Sequence, residues 1–256
     1  MLAILRSRFH LNAFWNVPET CPLLKGFYKC EYGIGDHLMR SVMYVHEGSM
    51  LGGNSAFAHD GTYYEENGEI IADITSRRHN DDPNYQSMLG SDTSSINVRG
   101  RPDGEYIYRF VGSSPQMPGA VFRSKMTPLE EEPIPPDAVG EGGIPNGLYS
   151  IHLRTLDGVD GGLTGIMLLS DGRILGGDAF FYYLGTYTSA NGRWRGQIVN
   201  QEHTPARGEN PVFGGHEVGI GFSGACSETS AELEATALAG KRSIRLTAVL
   251  KLMRRV

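Results

Sequence analysis

The chain has 256 residues, 40% of them hydrophobic and 20% charged, with a mean hydropathy of -0.27. This excludes a disordered chain and one made of membrane-spanning helices, and at roughly 100 to 200 residues per domain it allows one large domain or two small ones. The net charge of -6 repels phosphate backbones, and short pairs such as Arg77-Arg78 and Arg254-Arg255 form no basic face, so direct nucleic-acid binding is not expected.

The opening residues Met1 to Arg8 carry positive charge after a short apolar run, and no long apolar stretch or cleavage site follows. Neither a signal peptide nor a membrane span is expected. Cys21, Cys30 and Cys226 are odd in number and scattered, which fits reduced thiols of the cytoplasm rather than a disulfide framework or a metal site. Glycine at 34 positions, with 12 Tyr and 10 Phe, points to short aromatic strands joined by tight turns, an all-β composition.

Residues 1–25, with Phe9, Leu11, Phe14 and Trp15, match nothing else in the chain and form an N-terminal extension. From residue 26 onward the chain is a duplication. Residues 41–80 lie on residues 165–204 without a gap at an offset of 124, and thirteen of the forty positions are identical, among them Gly52/Gly176, Gly53/Gly177, Tyr63/Tyr187, Asn67/Asn191 and His79/His203. Upstream, Gly26-Phe27-Tyr28 matches Gly147-Leu148-Tyr149. The stretch between the copies holds five prolines from Pro128 to Pro145, with glycines and acidic residues, and cannot sustain a helix or a central strand. The boundaries are therefore 26–129 and 147–256, with 130–146 as a Pro/Gly-rich acidic linker.

Within each copy, turn signals separate runs that alternate or are apolar: Glu47-Gly48, Asn67-Gly68 and Asp103-Gly104, then Asp171-Gly172 and Asn191-Gly192. In the second copy the strands are predicted at 147–153, 165–170, 173–177, 182–188, 193–201, 218–224, 230–236 and 243–252. Residues 230–239 are rich in helix formers. Their counterpart in the first copy, 104–112, is strongly β, and Ala231, Leu233, Ala235 and Ala237 alternate, so both are read as strands. About eight antiparallel strands in each copy would leave exposed edges unless each sheet curls shut, so two tandem small barrels are expected.

Residues Gly147 to Ile151, Gly165 to Ile174, Gly176-Gly177-Asp178 and Tyr183 to Gly185, with Gly26 to Tyr28, Gly52 to Asn54 and Gly112 to Arg123 in the first copy, resemble the bacterial GrlR-like family. It is named for a negative regulator of type III secretion genes. The resemblance implies a lipocalin-like barrel, a non-enzymatic cytoplasmic regulator that sequesters a transcriptional activator, and dimerisation of single-barrel members. Two such units in one chain would make an intrachain pseudo-dimer. The family's partner contact is attributed to alternating acidic residues in a surface loop. The matching stretch is Glu65, Glu66 and Glu69 in the first copy, and Ser189 to Arg193 in the second, which has lost the acidic charge and holds Arg193 where Glu69 stands.

Other residues suggest further sites. Gly52-Gly53-Asn54 and Gly176-Gly177-Asp178 recur and are read as a structural turn or bulge. Phe57, Tyr63, Phe181, Tyr183 and Tyr187 gather near it, either as barrel core or as the lining of a pocket for an apolar small molecule. That pocket is the basis of the alternative reading, a carrier protein. Gly219-Ile-Gly221-Phe-Ser-Gly224 spells a dinucleotide fingerprint but lacks the strand-turn-helix context. No histidine pair has metal-ligand spacing, and no nucleophile motif is present, so no metal, cofactor or catalytic residue is expected.

Overall fold

The computed structural model describes residues 24–129, 137–155, 163–206, 213 and 217–256. The expected extension before residue 24 and the acidic proline run 130–136 lie outside the described residues. The first copy contributes β1 (Gly26–Ile34), β2 (His37–His46), β3 (Ser49–Gly53), β4 (Phe57–Glu66), β5 (Glu69–Arg78), β6 (Thr93–Pro102), β7 (Tyr108–Ser113) and β8 (Phe122–Pro128). The second contributes β9 (Gly147–Thr155), β10 (Leu163–Ser170), β11 (Arg173–Gly177), β12 (Phe181–Ala190), β13 (Arg193–Glu202), β14 (Val218–Ala225), β15 (Ser230–Ala239) and β16 (Arg242–Arg255). Each set forms a closed antiparallel barrel in chain order, sealed by β1 against β8 and by β9 against β16.

The turn chemistry explains the hairpins. Glu47-Gly48, Asn67-Gly68, Asp171-Gly172 and Asn191-Gly192 all hold two successive residues at positive φ, between 45° and 79°, as a two-residue turn matched to strand twist requires. Asp103-Gly104 departs from this. Only Gly104 is at positive φ, and the Asp103 amide reaches the Ile107 carbonyl, so the loop is longer and β7 begins only at Tyr108. The helix-prone stretch 230–239 is the strand β15. Its Ala231, Leu233, Ala235 and Ala237 are buried while Glu232, Glu234 and Leu238 are exposed, so the burial of one face overrides local propensity.

Inward side chains fill both barrels, and the outward positions of β13 and β15 carry Arg193, Arg195, Glu232 and Glu234. Among the described residues no helix is long and apolar enough to cross a membrane.

The segment between the copies is not all free chain. Residues 137–143 run along the β12–β13 turn: Gly140 donates to the Ser189 carbonyl, Ser189 to Ala138, Asn191 to Glu141 and Gly192 to Gly142. Ile144, 1% exposed, then enters the second barrel's core. Leu24, fully buried, likewise enters the first core, and Tyr63 donates its hydroxyl to the Leu24 carbonyl at 2.8 Å.

Of the glycines of the fingerprint-like run, strand pairing requires only Gly224. A Cβ on Gly219 or Gly221 would meet nothing within 4 Å, whereas on Gly224 it would fall 1.8 Å from the Glu232 carbonyl oxygen. Gly219→Thr is therefore expected to change stability by no more than about 0.5 kcal/mol, and Gly224→Val to cost at least about 1–3 kcal/mol through overpacking. Urea unfolding followed by tryptophan fluorescence compares the two.

Candidate functional site

Three features of the two barrels could carry function: their interiors, the seam between them, and the hairpin tips.

The interiors differ because the lining side chains differ in size. Strand register aligns Tyr32, Tyr108, Phe110 and Phe122 of the first barrel with Leu153, Ala231, Leu233 and Leu246 of the second. The void is accordingly about 40 Å³ in the first barrel and about 90 Å³ in the second. Both are far below the roughly 300–1,000 Å³ of a drug-sized ligand pocket.

Of the aromatic residues considered for such a pocket, Phe181 and Tyr183 line the second void. Tyr187 does not line it. It is fully buried against Trp194, its hydroxyl has no partner among the described residues, and burial pushes its pKa up to about 12. Phe57 lies in a separate crevice beside Met88 and Leu89, under the Arg78 guanidinium, and Tyr63 packs in the core with its hydroxyl on Leu24. The five therefore fill several places rather than one cavity.

The first interior holds a polar chain that sequence reasoning missed. Asn54 Nδ2 donates to the Tyr32 hydroxyl at 3.1 Å, Tyr32 Oη lies 3.3 Å from His59 Nε2, and His59 Nδ1 lies 2.8 Å from Ser76 Oγ. His59 takes the position of Tyr183 in the second copy, opposite the first glycine of the Gly-Gly pair. Burial pushes His59 down to about 4 and the neighbouring Cys30 thiol up to about 12. The imidazole is therefore neutral and the thiol protonated at pH 7, and neither is activated as a nucleophile would be. Cys30 and Cys226 are both free thiols, and Cys21 lies outside the described residues. No group of metal-ligating side chains occurs among the described residues.

The Gly-Gly turn positions the seam. In each copy the Asn54 or Asp178 carboxamide or carboxylate oxygen accepts two backbone amides, those of Ala56 and Phe57 or of Phe180 and Phe181. His79 and His203 each bond the main-chain oxygen of the same residue, so the shared histidine braces this turn. Outward residues of β2–β4 then pack on those of β10–β12, with Phe27 and Leu148 beside them, in one apolar cluster.

The contact is reciprocal. A Cβ on Gly53 would lie 2.8 Å from Ile166 Cγ2, and one on Gly177 would lie 3.0 Å from Val42 Cγ1. Val42 and Ile166 are repeat equivalents, so the two barrels meet about a pseudo-two-fold axis, as isologous dimers do. Asp60 with Arg254 at 2.9 Å and Asn80 Nδ2 with Thr164 Oγ1 at 2.8 Å close the rim.

At the β4–β5 tip of the first barrel, Glu65 and Glu66 are exposed. Glu69 is not free, since its carboxylate pairs with Arg101 at 3.0 Å and Arg99 at 3.5 Å. The matching tip of the second barrel is bonded along its main chain by residues 137–143, with Ser189 3% exposed and Asn191 and Arg193 left exposed.

No protein-family model and no curated protein matches the sequence. Among solved structures, the chain is similar to a Bacteroides fragilis protein provisionally described as an outer membrane protein, at 11% identity, covering 89% of this chain and 96% of that one with a TM-score of 0.25. It is also similar to Rv2717c of M. tuberculosis, at 10% identity with 90% and 93% coverage and a TM-score of 0.20. A third is transferrin binding protein B of Neisseria meningitidis, at 9% identity with 85% and 59% coverage and a TM-score of 0.27. Likenesses this distant carry no functional argument.

The buried imidazole makes stability sensitive to acid. His59 titrates near 4 when folded and near its ordinary 6.5 when unfolded, so the unfolded chain takes up the proton first, and stability present above pH 6.5 is lost as pH falls toward 4. At 1.36 kcal/mol per unit, the loss due to His59 is about 3–4 kcal/mol at its fullest. His59→Gln should remove that share of the acid-dependent loss and leave the share of His203, which burial also holds near 4. Urea midpoints between pH 4 and pH 7 measure both.

The seam gives a second expectation. Leu175→Ala, deleting a side chain 7% exposed within the apolar cluster, should cost about 2–4 kcal/mol, as read by urea unfolding.

Proposed function

We propose that this protein is a non-enzymatic binding protein: two GrlR-like barrels fixed as an intrachain pseudo-dimer that presents one acidic hairpin tip to a basic protein partner. The observation that carries the reading is the asymmetry of the two tips. The tip with exposed Glu65 and Glu66 is open, while its counterpart carries no carboxylate and has its main chain occupied by the chain's own residues 137–143. Covalent linkage holds the two barrels at an effective concentration of roughly millimolar, and the reciprocal seam keeps the open tip in a fixed orientation.

Two adjacent exposed carboxylates repel each other, and a basic surface relieves that repulsion and is steered toward it at low salt. Glu69 neutralises one of the two guanidiniums, Arg99 and Arg101, that stand beside the tip. The family resemblance supports a transcriptional activator as the partner and a negative regulator of type III secretion as the role. The small barrel voids favour this reading over the carrier of an apolar molecule.

The test is binding between the full chain and the DNA-binding transcriptional activators of its host, measured by biolayer interferometry at two salt concentrations. An activator should bind, associate about tenfold faster at low salt, and lose that acceleration with Glu65→Lys/Glu66→Lys. Equal binding by the charge-reversed chain, or no activator bound, would overturn the proposal.

A further inference from the structure

The pseudo-two-fold axis relates two places, a first and a second crevice, at each of which the closing strand pair of one barrel meets the shared histidine of the other. Their charges differ. In the first crevice, Lys29 Nζ donates to the His203 carbonyl at 3.3 Å. The Glu31 carboxylate there lies 3.8 Å from Lys29 Nζ and 3.6 Å from Lys125 Nζ. This crevice carries its own anion between two cations.

The second crevice is an open groove of about 330 Å³, bounded by His79 from the first barrel, by Ser150, His152 and Arg154 on β9, and by Thr247 and Lys251 on β16. Register fixes the correspondence. Tyr28 and Tyr149 are equivalent, which sets His152 where Glu31 stands, Arg154 where Gly33 stands and Lys251 where Thr127 stands. Two cations are kept, at new positions, and the carboxylate between them has become an imidazole.

No carboxylate lies within ion-pair distance of Arg154 or Lys251 among the described residues. Glu232 and Glu234 stand one strand away, opposite Val249 and Thr247, and do not line the groove. Cations held in a concave wall without an internal counter-charge concentrate anions from solution.

We propose that this groove binds a compact oxyanion, a phosphate or carboxylate group, beside the His152 imidazole and within reach of Arg154 and Lys251, supplying the negative charge that Glu31 supplies between Lys29 and Lys125. Arg154 offers a planar pair of N–H donors, Lys251 a mobile ammonium, and Ser150 and Thr247 hydroxyls, which is a donor set suited to charge-assisted bonds to oxyanion oxygens. Because the wall comes from both barrels, an anion bound there also ties them together. This proposal is independent of the acidic tip, which lies on another part of the first barrel.

The experiment is a titration of the full chain with inorganic phosphate, and separately with acetate, at constant ionic strength set by sodium chloride, followed by two-dimensional NMR. Saturable shifts of His152 and Lys251 are expected, with Lys251→Ala/Arg154→Ala weakening the response about tenfold or more. His152→Glu, which restores the internal carboxylate, should also remove the response while keeping or raising the melting temperature. Circular dichroism confirms that each variant folds. A response to phosphate alone assigns the site to phosphate groups, and a response to both assigns it to oxyanions in general. Shifts that do not saturate in the wild type, or that persist unchanged in both variants, would overturn the proposal.

Discussion

The arrangement of the molecule depends on one reciprocal steric contact, in which Val42 and Ile166 each press against a glycine of the other barrel. A Cβ at Gly53 or Gly177 would meet its own barrel first, 2.3 Å from the Phe57 carbonyl oxygen or 2.4 Å from that of Phe181, and would also crowd Ile166 or Val42 of the other barrel. The absence of those side chains lets Phe27, Leu51, Leu148, Leu168, Leu175 and Tyr182 come into a shared apolar layer. Burial of apolar area drives such association, and close approach at the glycines makes it specific. The second glycine of each pair thus serves both the turn within its own barrel and the contact between barrels, while the first, Gly52 or Gly176, lies on the inner face, where in the second copy Tyr183 packs over it.

Duplication leaves two copies free to diverge wherever the seam does not constrain them. The interiors have done so, one filled with aromatics and a buried Tyr32–His59–Ser76 chain, the other with alanine and leucine. The hairpin tips have diverged too. One is acidic and open, and the other is capped by the incoming chain. These differences fall on faces that do not touch the partner barrel, which is why they cost the architecture nothing.

Much of the architecture was legible in sequence because period-two burial and Asn-Gly or Asp-Gly turns are local signals, and the gapless repeat let one copy arbitrate for the other, as at 230–239. The seam was visible only indirectly. Ile166-Met-Leu-Leu169 breaks alternation because both faces of β10 are covered, one by its own barrel and one by its neighbour, yet a continuous apolar run does not say what covers it. The docking of residues 137–143 was hidden because most of its bonds join main chain to main chain, which leaves no side-chain pattern. The acidic residues were correctly placed at a turn, but the pairing of Glu69 with Arg99 and Arg101 depends on β6, which lies beyond the intervening loop 79–92.

Closure of each barrel through its first and last strands has a consequence for biosynthesis. The first barrel can seal once Pro128 has left the ribosome, whereas the second cannot until β16, ending at Arg255, has emerged. In that interval the nascent chain displays Phe27, Val42 and Leu51 with nothing yet to cover them. Neighbouring chains on one polysome could then pair like with like through the same self-complementary surface, and the chain's own second half must arrive in time to outcompete them.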